Sequence, residues 1–251
     1  MQLFFAQDIE SDYCTLNEDE SHHCVKVMRL AVSDPVSVTD GSGTLCHCTI
    51  VEAHPKHCLL QVDERINDYG RHAFHLHVAV APTKNTARME WFVEKAVEMG
   101  IDEITPIICD HSERCLLRQE RLQKIAVSAM KQSLKAFMPL IHPPTPLHEL
   151  IEKIQTRQYE NNNQDNNSQF SILNSQLFIA YCDGDHRTPL HDIYCPGENV
   201  LILIGPEGDF SPKEIEQALA AGFHPVTLGQ YRLRTETAAL AATAYFNLVN
   251  C

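Results

Sequence analysis

Val200-Leu201-Ile202-Leu203-Ile204-Gly205-Pro206-Glu207-Gly208-Asp209-Phe210-Ser211-Pro212-Lys213-Glu214 reads as a strand, a loop and the start of a helix. The first five residues are apolar without interruption and rich in β-branched side chains. Such a run, stopped by glycine, marks a strand buried on both faces, as in a parallel sheet. Ser211 followed by Pro212 and Glu214 is a helix start: a hydroxyl cap, proline in the first turn, and the carboxylate that completes a capping box. Gly205 and Gly208 let main-chain amides approach another group closely. In open α/β sheets ligands bind beyond the carboxyl ends of strands, so this loop is a candidate binding site. A tight turn that holds no ligand is the plainer alternative.

The next strand repeats the arrangement. Leu228-Gly229-Gln230-Tyr231-Arg232-Leu233-Arg234-Thr235-Glu236-Thr237-Ala238-Ala239-Leu240-Ala241-Ala242 is a glycine loop with two arginines that runs into an alanine-rich helix. The alanines also suit an ordinary helix of high propensity. Two such loops at successive strand ends suggest a cradle of main-chain groups for a small ligand. The chain lacks G-x-G-x-x-G and G-x-x-x-x-G-K-[ST], so the dinucleotide and triphosphate fingerprints are absent. The residues alone reach an adenosine-like or other small ligand and no further.

Outward from these loops, strand and helix alternate. Strands are expected over 74–81, 104–109, 177–181, 200–204 and 225–228, and helices over 89–99, 120–135, 212–221 and 237–249. That order indicates a mostly parallel sheet covered on both faces. Residues 155–169 are Asn/Gln-rich and cannot bury apolar area, so a surface loop is expected there. The first part of the chain differs. It shows strands over 2–6, 35–39, 44–52 and 57–63, a turn at Asp40-Gly41-Ser42-Gly43, and a helix over 22–30 entered from Asn17 and Glu20. Short strands closing on themselves suggest a small β-barrel. The polar stretch 66–72 sets a boundary, giving domains 1–72 and 73–251.

The 251 residues carry a formal net charge of −13, which argues against loose binding to a phosphate backbone. Local charge runs the other way between His111 and Lys135. Arg114, Arg118, Arg121, Lys124, Lys131 and Lys135 stand there against Glu113 and Glu120. Taken alone, a solvated helix face accounts for that run better than an RNA contact does. No apolar run has bilayer length and no export signal is evident, so no membrane partner and a reducing compartment, the cytoplasm, are expected. The ten cysteines would then be free thiols. Cys46-His47-Cys48 with His54, His57 and Cys58 invites a zinc reading. The spacing of a zinc site is missing, and alternation along a strand places Cys46 and Cys48 on one face without a metal. No metal is expected.

The motifs resemble those of the RsmE family, the small-subunit (16S) ribosomal RNA uridine N3-methyltransferases of the SPOUT superfamily. The likeness runs over nearly the whole chain. It rests on Gly205-Pro206-Glu207-Gly208 with Ser211 and Glu214, and on Leu228-Gly229 through Arg232-Leu233-Arg234-Thr235-Glu236-Thr237-Ala238. Lys84, Met89-Glu90-Trp91, Glu94-Lys95-Ala96, Glu98 and Gly100 match the start of the catalytic domain. Ser112-Glu113-Arg114, Gln132-Ser133 and Pro139 match its middle, and His23, Val27, Arg29, Asp34 and Asp40-Gly41 match an N-terminal RNA-binding domain. The chain departs from the pattern at Lys135, usually arginine, at Ser33, often glycine, and in the Asn/Gln-rich insertion.

The resemblance implies an α/β SPOUT domain with a deep trefoil knot and a mostly parallel sheet, behind a PUA-like β-barrel. It implies S-adenosyl-L-methionine as cofactor, a homodimer, and small-subunit ribosomal RNA, in the assembled 30S subunit, as partner. Leu203, Gly205, Pro206, Glu207, Gly208, Leu228, Gly229, Leu233, Arg234 and Thr237 would bind the cofactor. Arg232, Arg234 and Glu236 would serve the reaction, and Arg29, Lys84, Arg114, Gln132 and Lys135 would hold RNA. Three other readings stay open: a ribose 2′-O-methyltransferase of the same superfamily, a non-catalytic RNA-binding or ribosome-assembly factor, and an RNA-independent small-ligand protein. The absence of Asn-x-Gly followed by arginine early in the catalytic domain speaks against the first. Intact glycine loops with both arginines speak against the second.

Overall fold

The computed structural model describes residues 2–10, 12–161, 175–182 and 188–251. Contacts divide the chain into two units. One comprises 1–72 with 126–138, the other 73–125 with 139–251.

The first unit holds β1 (Leu3–Phe5), β2 (Tyr13–Thr15), α1 (Glu18–His22), a π-helical stretch (His23–Val27), β3 (Pro35–Thr39), β4 (Leu45–Glu52) and β5 (Leu59–Ile66). Its strands form one sheet in the order β1-β3-β4-β5-β2, antiparallel except for β1 with β3. Register shifts at His47/Cys48 and Ile50/Glu52 bend β4 and raise its twist, which curls a small sheet around its own core. Phe4, Leu16, Val38, Ile50 and Leu60 fill that core together with five cysteines, Cys14, Cys24, Cys46, Cys48 and Cys58. The thiols act there as small apolar side chains. Burial pushes Cys14 up to about 11 and Cys48 up to about 12, so neither is a ready thiolate. Cys46 and Cys48 share the inner face of β4, as alternation requires.

The expected helix over 22–30 starts earlier and ends sooner. The Asn17 side chain accepts from the Glu20 amide at 2.9 Å and caps α1. The chain then widens into the π-helical stretch, where the Met28 amide donates to the His23 carbonyl at 2.9 Å. Arg29 follows at φ 59, outside helical geometry.

The second unit contains β6 (Leu76–Val80), α2 (Thr86–Met99), β7 (Glu103–Ile108), the start of α3 (Gln119–Gln132), β8 (Leu140–Ile141), β9 (Thr145–Pro146), α4 (Leu147–Asn161), β10 (Ser175–Ala180), β11 (Thr188–Pro189), α5 (Leu190–Ile193), β12 (Asn199–Ile204), α6 (Pro212–Ala220), β13 (His224–Thr227) and α7 (Thr235–Val249). Its sheet runs β11-β13-β10-β12-β6-β7-β8, with β9 also on β7, and every pairing is parallel. The late strand β12 lies between β10 and the early strand β6, in the middle of the sheet. Central parallel strands are covered on both faces, which accounts for the apolar run at 200–204. β6 is buried at all five positions, although its sequence alternates.

Two expectations need correction. Residues 155–161 belong to α4 and not to a surface loop. Leu147, Leu150, Ile151 and Ile154 recur at helical spacing and are buried, so α4 is anchored by an apolar stripe that outweighs the polar residues after it. The rest of the Asn/Gln-rich stretch, 162–169, lies outside the described residues. The helix expected over 120–135 ends at Gln132, where Leu134 adopts φ 56 and turns the chain away. The short β2, β8, β9, β11 and α5 carry too few residues for a periodic signal.

Candidate functional site

The carboxyl ends of β10, β12 and β13 open on a cavity of about 1050 Å³ in the second unit. Ligand pockets span roughly 300–1,000 Å³, so this one suits a nucleoside-sized molecule with an attached chain. Its floor and walls come from the loop after β12, the loop after β13 and the inner face of α7, with Tyr181 and Cys182 from the end of β10.

The loop after β12 is held from several sides. Ser211 accepts from the Glu214 amide at 3.3 Å, and the Ser211 amide donates to Glu214 Oε2 at 2.8 Å, the reciprocal pair of a capping box. The capping box read from Ser211, Pro212 and Glu214 is therefore formed. The same two side chains reach the loop after β7. Glu214 Oε1 accepts from the Asp110 amide at 2.9 Å, and Ser211 Oγ donates to Asp110 Oδ2 at 2.6 Å. His111 Nδ1 lies 3.1 Å from the Gly208 carbonyl and 3.0 Å from that of Asp209, so this nitrogen must carry the donated proton. Asp209 turns back at φ 64 and accepts the Cys182 amide at 2.7 Å. The contact of this loop with Asp110 and His111 gave no sequence signal beyond the neighbouring Ser112-Glu113-Arg114.

The two glycines of this loop serve the chain's own packing. A Cβ on Gly205 would stand 3.0 Å from two ring atoms of Phe210, and one on Gly208 would stand 3.0 Å from His111 Cβ. Both distances are closer than such atoms normally approach. Gly229, in the other loop, has open space around it but adopts φ 144, a backbone region that L side chains avoid.

Of the residues expected at the cofactor, Gly205, Pro206, Glu207, Leu228, Gly229, Leu233 and Arg234 line the cavity, and Arg232 joins them. Three do not. Leu203 is fully buried in the core between the sheet and its covering helices, because alternation turns it away from the strand end. Gly208 is occupied by its contact with His111, and Thr237 faces solvent on α7. Residues missed from sequence include Tyr181, Ala238, Ala241 and Tyr245, which line the cavity from β10 and α7.

The arginines sit at the rim. Arg232 donates to the Glu207 carbonyl at 3.3 Å and ties the two loops together. Arg234 is the cap residue of α7 with an exposed side chain. Its neighbour Thr235 is buried and donates to the Gly205 carbonyl at 3.0 Å, so the start of α7 is fastened to the first glycine loop. Glu236 points elsewhere. It is buried, lies outside the cavity lining, and has Oε1 3.6 Å from Arg88 Nε while Oε2 has no hydrogen-bond partner.

The residues expected on RNA fall into both units. Lys84 and Arg114 belong to the second, where Arg114 Nε donates to the Lys84 carbonyl at 3.1 Å and the Lys84 amide donates to Glu207 Oε1 at 3.1 Å. Arg29, Gln132 and Lys135 belong to the first, with Arg29 and Gln132 exposed. The positive run from 111 to 135 is partly neutralised within each unit. Arg121 pairs with Glu90 and Lys131 with Glu20. Arg118 and Lys124 remain exposed.

A family model described as an RNA methyltransferase domain matches residues 71–247, and one described as an RNA methyltransferase PUA domain matches residues 16–63. A probable rRNA-methyltransferase from Porphyromonas gingivalis has the same fold at TM-score 0.86 and 41% identity, over 100% of this chain and 98% of that one. Ribosomal RNA small subunit methyltransferase E from Neisseria gonorrhoeae, solved bound to S-adenosyl methionine, aligns at TM-score 0.81 and 25% identity over 100% and 98% of the two chains. The protein of the same name from Bacillus subtilis (strain 168) is 26% identical over 98% of this chain and 94% of its own length. The chain therefore belongs to the RNA methyltransferase domain family, among relatives that carry the RsmE name.

Proposed function

We propose that the chain transfers a methyl group from S-adenosyl-L-methionine to N3 of a uridine in small-subunit ribosomal RNA. The observation that carries this reading is the cavity at the ends of β12 and β13, rimmed by Arg232 and Arg234, in a chain of this family. The cavity fits the cofactor in size and in donors. Main-chain groups of 205–207 and 228–229 would hold it, beside the apolar side chains of Leu228, Leu233 and Ala238. When bound, the cofactor supplies an electrophilic methyl group on a sulfonium leaving group.

Uracil N3 is a weak nucleophile until it loses its proton. The protein must therefore align N3 with the methyl group and favour the uracil anion. Arg234, exposed at the rim, is the candidate for holding negative charge on a uracil oxygen or the adjoining phosphate. Arg232 keeps the two loops in register and can share that role. Glu236 is better cast as a positioning residue through Arg88, since its carboxylate does not reach the cavity. A base must leave its stack to be reached, and a PUA domain over 1–72 would hold the flanking strand while a catalytic domain over 73–251 acts on the base. Arg29, Lys84, Arg114, Gln132 and Lys135 are the proposed RNA contacts.

We read the enzyme as a cytoplasmic homodimer acting on the assembled 30S subunit. Trp91 on α2 and Leu248 on α7 are exposed large apolar side chains on helices that pack together, which supports a partner copy covering them. No helix among the described residues is long and apolar enough to cross a membrane. The placement of β12 between β10 and β6 supports a knotted C-terminal segment.

The test is methyl transfer from labelled cofactor to small ribosomal subunits lacking their own modification, followed by nucleoside mass analysis. N3-methyluridine at one site is the expected product. Methylated ribose would replace this reading with the 2′-O reading, and cofactor binding without transfer to any ribosomal RNA would favour an assembly factor.

A further inference from the structure

At the opposite end of the parallel sheet from the cavity, three residues from separate strands meet. His77 lies in β6, Glu103 opens β7 and His142 follows β8. His77 and Glu103 are paired across the β6–β7 ladder. The ligand-capable atoms of all three lie within 4.8 Å of one another. His142 Nε2 is hydrogen-bonded to one oxygen of Glu103, and His75 Nε2 lies 3.0 Å from the other.

His77 is the residue that the fold alone does not satisfy. Its side chain is 2% exposed. Nε2 is 2.7 Å from Thr105 Oγ1, while Nδ1 has no hydrogen-bond partner and faces Glu103 Oε2 at 3.7 Å. If the Nε2 proton goes to Thr105, Nδ1 turns a bare lone pair toward a carboxylate. If instead Nδ1 carries the proton, it reaches no acceptor. Either way a buried polar atom is left over, which is rare and calls for a cause. A neutral imidazole with a free lone pair is the form that binds metal.

We propose that His77 Nδ1, Glu103 and His142 Nε2 form a binding site for a divalent transition cation of the zinc class, the ion displacing the proton shared between His142 Nε2 and Glu103. Two imidazoles and a carboxylate are a donor set that zinc takes. Bonds of about 2.0–2.1 Å in a tetrahedron put neighbouring ligand atoms roughly 3.3–3.5 Å apart, close to the observed spacing of His77 and Glu103. Thr105 is then the outer partner that fixes the ring of His77. His75 and His142 are about one-third exposed and leave a path for the ion. The cation would fasten β6, β7 and the segment after β8, away from the methyl-transfer cavity.

The test uses the full chain, stripped with a chelator and titrated with Zn²⁺ alone by calorimetry and with Co²⁺ by visible absorption. One equivalent per chain with a tetrahedral Co²⁺ spectrum is expected. His142→Gln should weaken binding by about 100-fold or more, beyond what loss of an outer partner costs. His54→Ala with His57→Ala, which removes a stacked histidine pair in the first unit, should change nothing. X-ray absorption of the zinc-loaded wild type should show nitrogen and oxygen ligands only, a readout that survives even if His142→Gln fails to fold. No saturable uptake by the wild type, full affinity in a folded His142→Gln, or sulfur among the ligands would each overturn the site.

Discussion

The two glycine loops border the same cavity and are built in opposite ways. The loop after β12 is locked by the Ser211–Glu214 capping box, by Asp110 and His111 from the loop after β7, and by the seating of Phe210 against Gly205. The loop after β13 has few internal bonds. Thr227 Oγ1 donates to the Gly229 carbonyl at 2.7 Å, Arg232 reaches across to Glu207, and Tyr231 stands 84% exposed. One loop is a preformed wall. The other is held mainly at its ends, by β13 and by Thr235 at the start of α7, so its middle can adapt to what enters. Preorganisation and adaptability are thus divided between two segments of similar composition.

Substitutions can break that contrast. The largest effect is expected on turnover. Arg234→Ala should lower kcat by about 10²-fold or more, the scale of losing one aimed charge donor, with an unchanged thermal midpoint. Full turnover in folded protein would remove Arg234 from the reaction. Next comes the rigid loop. Gly205→Ala should cost about 1–3 kcal/mol in urea denaturation, because the new methyl meets the Phe210 ring, and should weaken cofactor binding as well. Adding Phe210→Leu should recover part of both losses.

Ser211→Ala removes the cap and the bond to Asp110 together, with an expected cost of about 1–2 kcal/mol in the same assay. The adaptable loop should respond less. Gly229→Ala should cost about 1 kcal/mol through backbone strain alone. Tyr231→Ala should stay within about 0.5 kcal/mol in stability, and any loss should appear in RNA affinity. If these last two destabilise more than Gly205→Ala, the division into rigid and adaptable loops is wrong.

Much of this site was legible in the residues. The strand before Gly205, the helix start at Ser211, the second loop and α7 all follow from strong local signals. Apolar runs, capping residues and glycines act over a few positions, and their energetics are settled within that range. Leu203, Gly208 and Thr237 sit inside the matching motifs but do not line the cavity. Motif membership does not tell which way a side chain points, and the pleat of β12 and the turn of α7 direct Leu203 and Thr237 away from the cavity. The helix α4 was hidden by the polar residues that follow it, although Leu147, Leu150, Ile151 and Ile154 carried its period.

By itself the sequence determined an α/β order of elements, two glycine loops at successive strand ends, and the family that these motifs mark. Those properties depend on neighbours in the chain. Only the tertiary structure decided that Asp110 and Glu214 join, that Gly205 is needed for Phe210, and that His77, Glu103 and His142 converge. The reason is physical: strand pairing in a parallel sheet joins residues separated by whole crossovers, so no spacing along the chain records which side chains will face one another.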